Sequence, residues 1–318
     1  MTKKKLAVVM DPIAEIIPEK DGTLGLLLEA QSRSYELIYF EQQDLRIING
    51  IAMGSGRQLT VENNVTTWFS LSDKNEIPLS EFDVILMRKD PPFNTEYIYT
   101  TYVLDFAESS GALVINSPAS LRNFNEKVSV SFFPECAAPS LVTSSINHLQ
   151  DFLKLHKKIV VKPLDGMGGK SIFVIAEGDL NTNSILEIIT NENRETVTAQ
   201  LYIPEVLEGD KRIHIVDGKH ADVLLARIPL KTDNRGNLVA GAQPKTQALS
   251  ENDKRICNLI GPKLQASGIF FAGIDVIGNF LTEINITSPT GMREIKKYTD
   301  YDVVGIFFDL IEKNLNDQ

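Results

Sequence analysis

Short apolar runs and helix-like spacings alternate along the first third of the chain. Residues 6–10, LAVVM, predict a buried strand, and residues 23–32 predict a helix with Leu24, Leu27 and Leu28 on one face. A strand follows at 36–40. Residues 42–75 mix short apolar runs with turn residues and predict irregular hairpins. Residues 83–87 predict the next strand, 96–110 a helix and 113–115 another strand. Strands alternating with helices predict parallel α/β architecture, with ligands beyond the carboxyl ends of the strands. Asp11-Pro12 and the segment Arg88-Lys89-Asp90-Pro91-Pro92 lie at such ends.

The pattern then changes. Ser117 and Pro118 suit an N-cap and a first helical position, so a helix starts there. Helices are predicted at 146–155 and 180–190, and a strand at 197–203, broken by Pro204. Strands at 211–216 and 221–228 flank a turn at Asp217-Gly218. Residues 232–246, rich in Gly, Asn, Lys and Gln, predict a long loop that would act as a lid. A helix at 251–268 capped by Ser250, two strands around Gly278-Asn279 and a final helix at 303–315 complete the chain.

One stretch carries the most chemistry. In KKIVVKPLDGMGGKSIFVIAEG, residues 157–178, β-branched and aromatic runs flank a loop with Gly166, Gly168 and Gly169. Neither run has helical caps or periodicity, so the loop tips an antiparallel hairpin. Familiar dinucleotide and P-loop sites put their glycines between a strand and a helix. Here loop amides, with Lys162 and Lys170 at either end, would hold a phosphate, because glycine lets an N–H approach it unobstructed. The alternative is a mobile surface tip.

A second constellation lies late in the chain. Glu283 and Asn285 are two residues apart on a strand and share a face, with Asp275 on the partner strand. A two-residue loop at Gly278-Asn279 would pair Asp275 with Thr282, on the face opposite Glu283. A three-residue loop, 278–280, would pair Asp275 with Glu283 and gather three oxygen donors. Such a set suits Mg²⁺ or Mn²⁺ near phosphates; otherwise it is a solvated polar face. Arg88, Arg212 and Arg227 are either solvent-facing or candidates for binding anionic groups.

Composition narrows the field. The 318 residues allow two or three domains. A net charge of -10 argues against a nucleic-acid surface but permits a local basic pocket. No apolar run approaches membrane-spanning length, and residues 6–10, cut off by Asp11-Pro12, are too short for a signal-peptide core. Cys136 and Cys257 have no metal spacing and point to a reducing cytoplasm.

A glycine hairpin with lysines, a hinge-like strand, arginine-bearing strands and a late acid–amide pair, in this order, resemble the ATP-grasp superfamily. More closely, MRKDPPFN, NSPASLRNFNEK, VKPLDGMGGKSIF, GDKRIHIVDG, ARIP, RGNLVAG and LTEINITSPTGMREI resemble bacterial-type glutathione synthetases over nearly the whole chain. The resemblance implies an α/β and α+β molecule with the ATP-grasp fold. Its parts would be an N-terminal parallel α/β domain at 1–122, a small glycine-loop lid unit at 123–201 and a C-terminal antiparallel-sheet unit at 202–318. It implies ATP-dependent ligation of γ-glutamylcysteine and glycine through an acyl phosphate, giving glutathione, ADP and phosphate. The setting implied is a cytoplasmic homotetramer acting on small molecules, with no nucleic-acid or membrane partner.

Carried onto this chain, Lys127, Lys162, Gly166, Gly168 and Gly169 would contact ATP phosphates. Gln200, Leu201, Tyr202 and Ile203 would face adenine and Asp210 the ribose, while Asp275, Glu283 and Asn285 would hold Mg²⁺ or Mn²⁺. Arg88, Arg212, Arg227 and Arg293 would bind substrate carboxylates and the transferring phosphoryl group, Arg212, Arg227 and Arg235 being catalytic. The lid would run from Arg235 to about Gln243, where one departure shows. The pattern glycine-arginine-glycine-glutamate is expected after RGNLxAG, and Ala242-Gln243-Pro244-Lys245 stands instead. Rival readings are another ATP-grasp ligase joining different amino acids, a nucleotide-binding regulatory protein, or a phosphotransferase.

Overall fold

The computed structural model describes residues 3–230 and 241–317. Its first sheet begins with β1 (Lys5–Val9) and β2 (Glu36–Phe40), both buried on all but their first residue. It continues with β3 (Leu45–Ile48), β4 (Ile51–Val61), β5 (Phe69–Pro78), β6 (Val84–Met87) and β7 (Leu113–Ile115). The order is β3-β4-β2-β1-β6-β7, with β5 on the free side of β4. The segment β2-β1-β6-β7 is parallel, as the alternation of strands and helices requires. α1 (Gly22–Ser32) starts at Asp21, whose carboxylate accepts from the Leu24 amide at 2.6 Å. α2 (Thr95–Ser109) starts in the same way at Asn94. α3 (Pro118–Asn123) begins at the expected proline, although the Ser117 hydroxyl does not cap it.

Residues 42–75 are not irregular. They supply β3, β4 and most of β5, and the eleven-residue β4 is the longest strand of the sheet. The expected hairpins are present as regular antiparallel pairs of β4 with β3 and with β5, and Gly54 and Gly56 are strand positions rather than turn residues. In the sheet they leave the room that the Phe40 ring fills: a Cβ on Gly56 would lie 2.7 Å from Phe40 Cε1, and one on Gly54 would overlap the same ring.

The second sheet is small and antiparallel. It holds β8 (Ser140–Thr143), β9 (Lys158–Pro163), β10 (Phe173–Ala176) and β11 (Val197–Leu201), in the order β10-β9-β11-β8. α4 (Ile146–His156) and α5 (Thr182–Ile189) complete a separate apolar cluster centred on Leu149, Ile159, Val161, Ile175 and Leu186.

The third sheet contains β12 (Asp210–Val216), β13 (Lys219–His220), β14 (Val223–Ile228), β15 (Gln243–Ala248), β16 (Phe271–Ile277) and β17 (Phe280–Asn285). Its order is β15-β14-β12-β16-β17, with β13 on β12. β15 corrects the expectation of a loop running to residue 246. Its sequence, QPKTQA, is polar because it is an exposed edge strand held by backbone pairing with β14.

α6 (Glu251–Ala266) carries a reciprocal capping box between Ser250 and Asp253. α7 (Met292–Tyr298) had no counterpart in the sequence reading. It opens at Gly291, with φ +108°, and buries Met292 and Ile295. α8 (Val303–Asp317) returns to the first sheet. There Arg33 reaches Asp309 at 2.7 Å and the Gly305 carbonyl at 3.1 Å, and Tyr35 meets Phe308 with ring centroids 5.8 Å apart. The apolar cluster under α8 joins Leu6, Val8 and Leu24 to Phe307, Phe308 and Ile311, so the two ends of the chain share one core.

The glycine–ring contact gives a direct test. Gly56→Ala should destabilise the protein by about 1–3 kcal/mol through overpacking. A chemical-denaturation midpoint equal to wild type would show that Ile38 and Phe40 move aside without strain.

Candidate active site

The small sheet and the third sheet face each other across a cleft of about 780 Å³. One wall is the glycine hairpin. β9 and β10 pair antiparallel from Val161↔Phe173 to Lys158↔Ala176, which leaves residues 164–172 as the connecting loop. Gly168 and Gly169 have φ of +70° and +76°, a conformation that favours glycine, and both line the cleft with Gly166 and Lys170. Lys162 stands at the root of the loop on β9 and is 9% exposed. Lys127 enters from the segment after α3 and donates to the Gly166 carbonyl at 2.8 Å.

The floor is the end of β11 and the crossing to β12. Gln200, Leu201, Tyr202 and Ile203 all line the cleft. Gln200 Nε2 donates to the Thr282 carbonyl at 3.1 Å, joining this hinge to the opposite wall. Lys158 Nζ sits 3.7 Å from the centroid of the Tyr202 ring and stiffens the ring's position.

The second wall centres on Asp275. Its register with Glu283 combines the two alternatives left open by the sequence. The loop is two residues, with Ile277 opposite Phe280, and a β-bulge then shifts the pairing so that Asp275 faces Glu283. Thr282 is the extra residue, and its hydroxyl donates to the Asp275 carbonyl at 3.1 Å. Arg212 is directly opposite Asp275 on β12 and grips it with both nitrogens, Nε to Oδ1 at 2.7 Å and Nη2 to Oδ2 at 3.1 Å. Arg227 Nη2 lies 2.9 Å from Oδ1 and 2.7 Å from Asp210 Oδ2. Asn285 Nδ2 donates to Asp275 Oδ2 at 3.1 Å.

Burial opposes ionisation of Asp275, but the guanidiniums of Arg212 and Arg227 outweigh it and hold the carboxyl well below the usual range. Asp210 is the other partner of Arg227, and burial pushes its carboxyl up to about 6. Its Oδ1 is buried with no hydrogen-bond partner among the described residues, an acceptor open to a hydroxyl donor.

The donors fit a hard cation in part. Glu283 Oε1 lies 3.1 Å from Lys127 Nζ, and among the described residues no hydrogen bond reaches Asn285 Oδ1. Both residues line the cleft. Asp275 is different, because each of its oxygens already meets two nitrogen donors, and one of these contacts has to give way before it could ligate. Among the described residues no three His, Cys, Asp or Glu side chains gather around one point, so a cation here draws on an amide or on substrate oxygens.

Arg88 and Arg293 stand apart from the cleft lining. Arg88, 5% exposed, donates from Nε to Thr23 Oγ1 at 3.1 Å and from Nη2 to the Pro289 carbonyl at 3.0 Å. Arg293 donates from Nη2 to Asn63 Oδ1 at 2.8 Å, and its Nη1 is buried with no partner among the described residues. Both lie near the Asp21 carboxyl, which burial raises while the two arginines pull it down. The structure thus gathers Lys127, Lys162, the three loop glycines, residues 200–203, Asp210, Arg212, Arg227, Asp275, Glu283 and Asn285 on one cleft, with Arg88 and Arg293 beyond the 288–291 loop. Arg235 and most of the expected lid lie outside the described residues.

Sequence reasoning passed over Glu126, which read as an ordinary neighbour of Lys127. Its half-buried carboxylate accepts the amides of Ile286 and Thr287 at 2.8 and 3.0 Å. His214, inside β12, carries no local signal of a role. Burial, with Arg212 beside it, pushes its imidazole down to about 3, and its Nε2 meets the Thr290 carbonyl at 3.1 Å, so the neutral ring is the donor there.

A histidine with a lowered folded pKa binds fewer protons than the unfolded chain. Its stability contribution is intact above about 6.5 and is lost as pH falls toward 3. Between pH ~7.5 and ~5.5 wild type should lose about 1 kcal/mol more than His214→Gln. Equal losses in denaturant titrations at the two pH values would remove His214 as the cause.

The likenesses to known proteins agree with this geometry. Residues 5–122 match the family model for the prokaryotic glutathione synthetase N-terminal domain, and residues 126–300 match that for its ATP-grasp domain. A glutathione synthetase of Shewanella oneidensis is 49% identical, covering 98% of this chain and 99% of the relative. Glutathione synthetases of Escherichia coli K12 and Pseudomonas aeruginosa are 47% and 48% identical, over 99% and 98% of this chain and 99% and 98% of their own lengths. Among solved structures, the D-cycloserine synthetase DcsG has a TM-score of 0.69 at 13% identity, over 98% of this chain and 99% of that one. The D-alanyl-alanine synthetase A of Vibrio cholerae has a TM-score of 0.61 at 13% identity, over 99% of both chains. At such identity these structures speak for the fold alone.

Proposed function

The chain belongs to the prokaryotic glutathione synthetase family, and we propose that it joins γ-glutamylcysteine to glycine at the expense of ATP. It is an ATP-dependent carboxylate–amine ligase. The observation that carries the assignment of roles is the opposition of two walls: a lysine-flanked glycine loop on one, and Asp210, Arg212, Arg227, Asp275, Glu283 and Asn285 on the other.

A carboxylate is a poor acylating agent until one oxygen becomes a leaving group. The cysteinyl carboxylate of γ-glutamylcysteine attacks the γ-phosphorus of ATP, forming an acyl phosphate and releasing ADP. The glycine amine then attacks the acyl carbon, phosphate departs with its bonding pair, and the amine loses a proton. Loop amides with Lys127 and Lys162 align the phosphates, residues 200–203 take the adenine, and Asp210 accepts from a ribose hydroxyl. Arg212 and Arg227 face the charge that develops on the transferring group, while Arg88 and Arg293 hold substrate carboxylate. Glu283 and Asn285, with Asp275 once an arginine contact yields, would hold Mg²⁺ or Mn²⁺, which neutralises phosphate charge when bound. The segment from Arg235 to Gln243 would exclude water that would otherwise hydrolyse the acyl phosphate.

We extend the proposal to a cytoplasmic homotetramer. Exposed Tyr99, Tyr102 and Phe106 along α2, and the buried free thiols of Cys136 and Cys257, support it. Among the described residues no helix is long and apolar enough to cross a membrane. Sedimentation should give a mass near four times the 35.4 kDa chain, and a monomer would end this part of the proposal.

Phosphate release from ATP should require both γ-glutamylcysteine and glycine and yield one tripeptide per phosphate. Release with another amino-acid pair would keep the mechanism and discard the substrates. Glu283→Gln should cut turnover by about 100-fold or more with an unchanged melting temperature, and Lys162→Ala should weaken ATP binding. A Glu283→Gln protein as active as wild type would rule the residue out as a ligand.

A further inference from the structure

Residues 125–127 touch both walls of the cleft. Asn125 Oδ1 accepts from the amides of Lys127 and Val128, each at 3.0 Å, and fixes the turn. Its Nδ2 donates to the Leu164 carbonyl at 3.1 Å, and Lys127 Nζ donates to the Gly166 carbonyl at 2.8 Å. Those two carbonyls belong to the glycine loop. The remaining residue, Glu126, is tied wholly to the other wall. Its main-chain carbonyl accepts from the Ile284 amide at 3.0 Å. A single side-chain oxygen, Oε1, takes the Ile286 amide at 2.8 Å, the Thr287 amide at 3.0 Å and the Thr287 hydroxyl at 2.9 Å.

These bonds bracket Asn285 and adjoin Glu283. They anchor Ile284 on the side of β17 away from β16, and residues 286 and 287, where β17 has just ended and no partner strand sets the chain. Burial raises the Glu126 carboxyl and so opposes its ionisation, which makes a carboxylate a costly way to hold an ordinary strand end. Lys127 lowers that cost, and the same lysine pairs with Glu283 and reaches the loop. Three adjacent residues therefore tie the phosphate-side loop to the acid–amide strand.

We propose that Glu126 is a positioning residue. Through its Oε1 it sets where Glu283 and Asn285 stand relative to the glycine loop, and so the match between a divalent cation and the phosphates it neutralises. The proposal rests on reading the cleft as a nucleotide–metal site. It assigns the work to reach and hydrogen-bond acceptance, with the charge of Glu126 secondary.

Two conservative variants separate these properties. Glu126→Asp keeps the charge but is one methylene short of both amides while its backbone stays paired with Ile284. Glu126→Gln loses the charge but keeps the reach and the carbonyl acceptor. In the full-length protein, calorimetric titration gives the Mg²⁺ concentration that half-saturates its enhancement of ADP binding, and the ADP affinity in EDTA. Glu126→Asp should raise the Mg²⁺ requirement about tenfold or more, as loss of an outer-sphere contact does, and lower kcat. Its metal-free ADP affinity should stay within about threefold of wild type, and Glu126→Gln should stay within about threefold on every measure. An unchanged Mg²⁺ requirement in Glu126→Asp would overturn the proposal, as would Glu126→Gln being as impaired as Glu126→Asp. Wild-type protein that binds no Mg–ADP would overturn the reading of the cleft, and the proposal with it; the variants can overturn the proposal alone.

Discussion

Everything on the ligand-facing side of the third sheet depends on how one carboxylate, Asp275, is balanced between two guanidiniums. Arg212 holds it from the adjacent strand, and Arg227 approaches from the next strand over while also meeting Asp210. Buried ions on their own would be strongly destabilising. Here each arginine lowers the cost of the carboxylates beside it, and the carboxylates lower that of the arginines, although the two carboxylates repel one another. The arrangement also orients them. Arginines locked against carboxylates keep their remaining N–H groups aimed in fixed directions, which favours binding a planar or tetrahedral anion without reorganisation.

The geometry of that balance comes from a single irregularity. Without the bulge at Thr282, the two-residue loop would put Asp275 and Glu283 on opposite faces, and the acid–amide set would be split between cleft and core. With it, the strand keeps a tight turn and still brings the donors together. The Thr282 carbonyl, freed at the bulge, accepts from Gln200. One extra residue thus serves both the donor set and the link to the nucleotide-side hinge.

Much of the fold and most of the site were legible in the sequence, because the informative signals were local. The lysine-flanked glycine loop lies between two strand-like runs, and spacing alone placed Glu283 and Asn285 on one face. What stayed hidden depended on partners distant in sequence. The regularity of β4 stayed hidden because its glycines leave room for Phe40 and Ile38, and β15 looked like loop because an edge strand held by backbone pairing needs no apolar pattern. Glu126 beside Lys127 resembles any surface pair until the amides of Ile286 and Thr287, some 160 positions on, are seen to end at it. The bulge escaped for a related reason: loop length and register are separate choices, and the sequence signal addressed them as one. That Arg88 donates to the Pro289 carbonyl, 201 positions on, was likewise beyond any local signal.

The small sheet has an apolar cluster of its own, while the other two sheets are bound together by cores that run from one end of the chain to the other. It meets its surroundings through a handful of polar links, among them Gln200 to Thr282, Asn125 to Leu164 and the Phe93 amide to Asp165. Its cooperativity is therefore local. The unit can swing outward as a rigid leaf, or exchange its amide protons by sub-global opening, while the rest of the molecule stays folded. Opening of this kind leaves the cluster around Leu149, Ile159 and Ile175 intact, since that cluster is built wholly within the small unit.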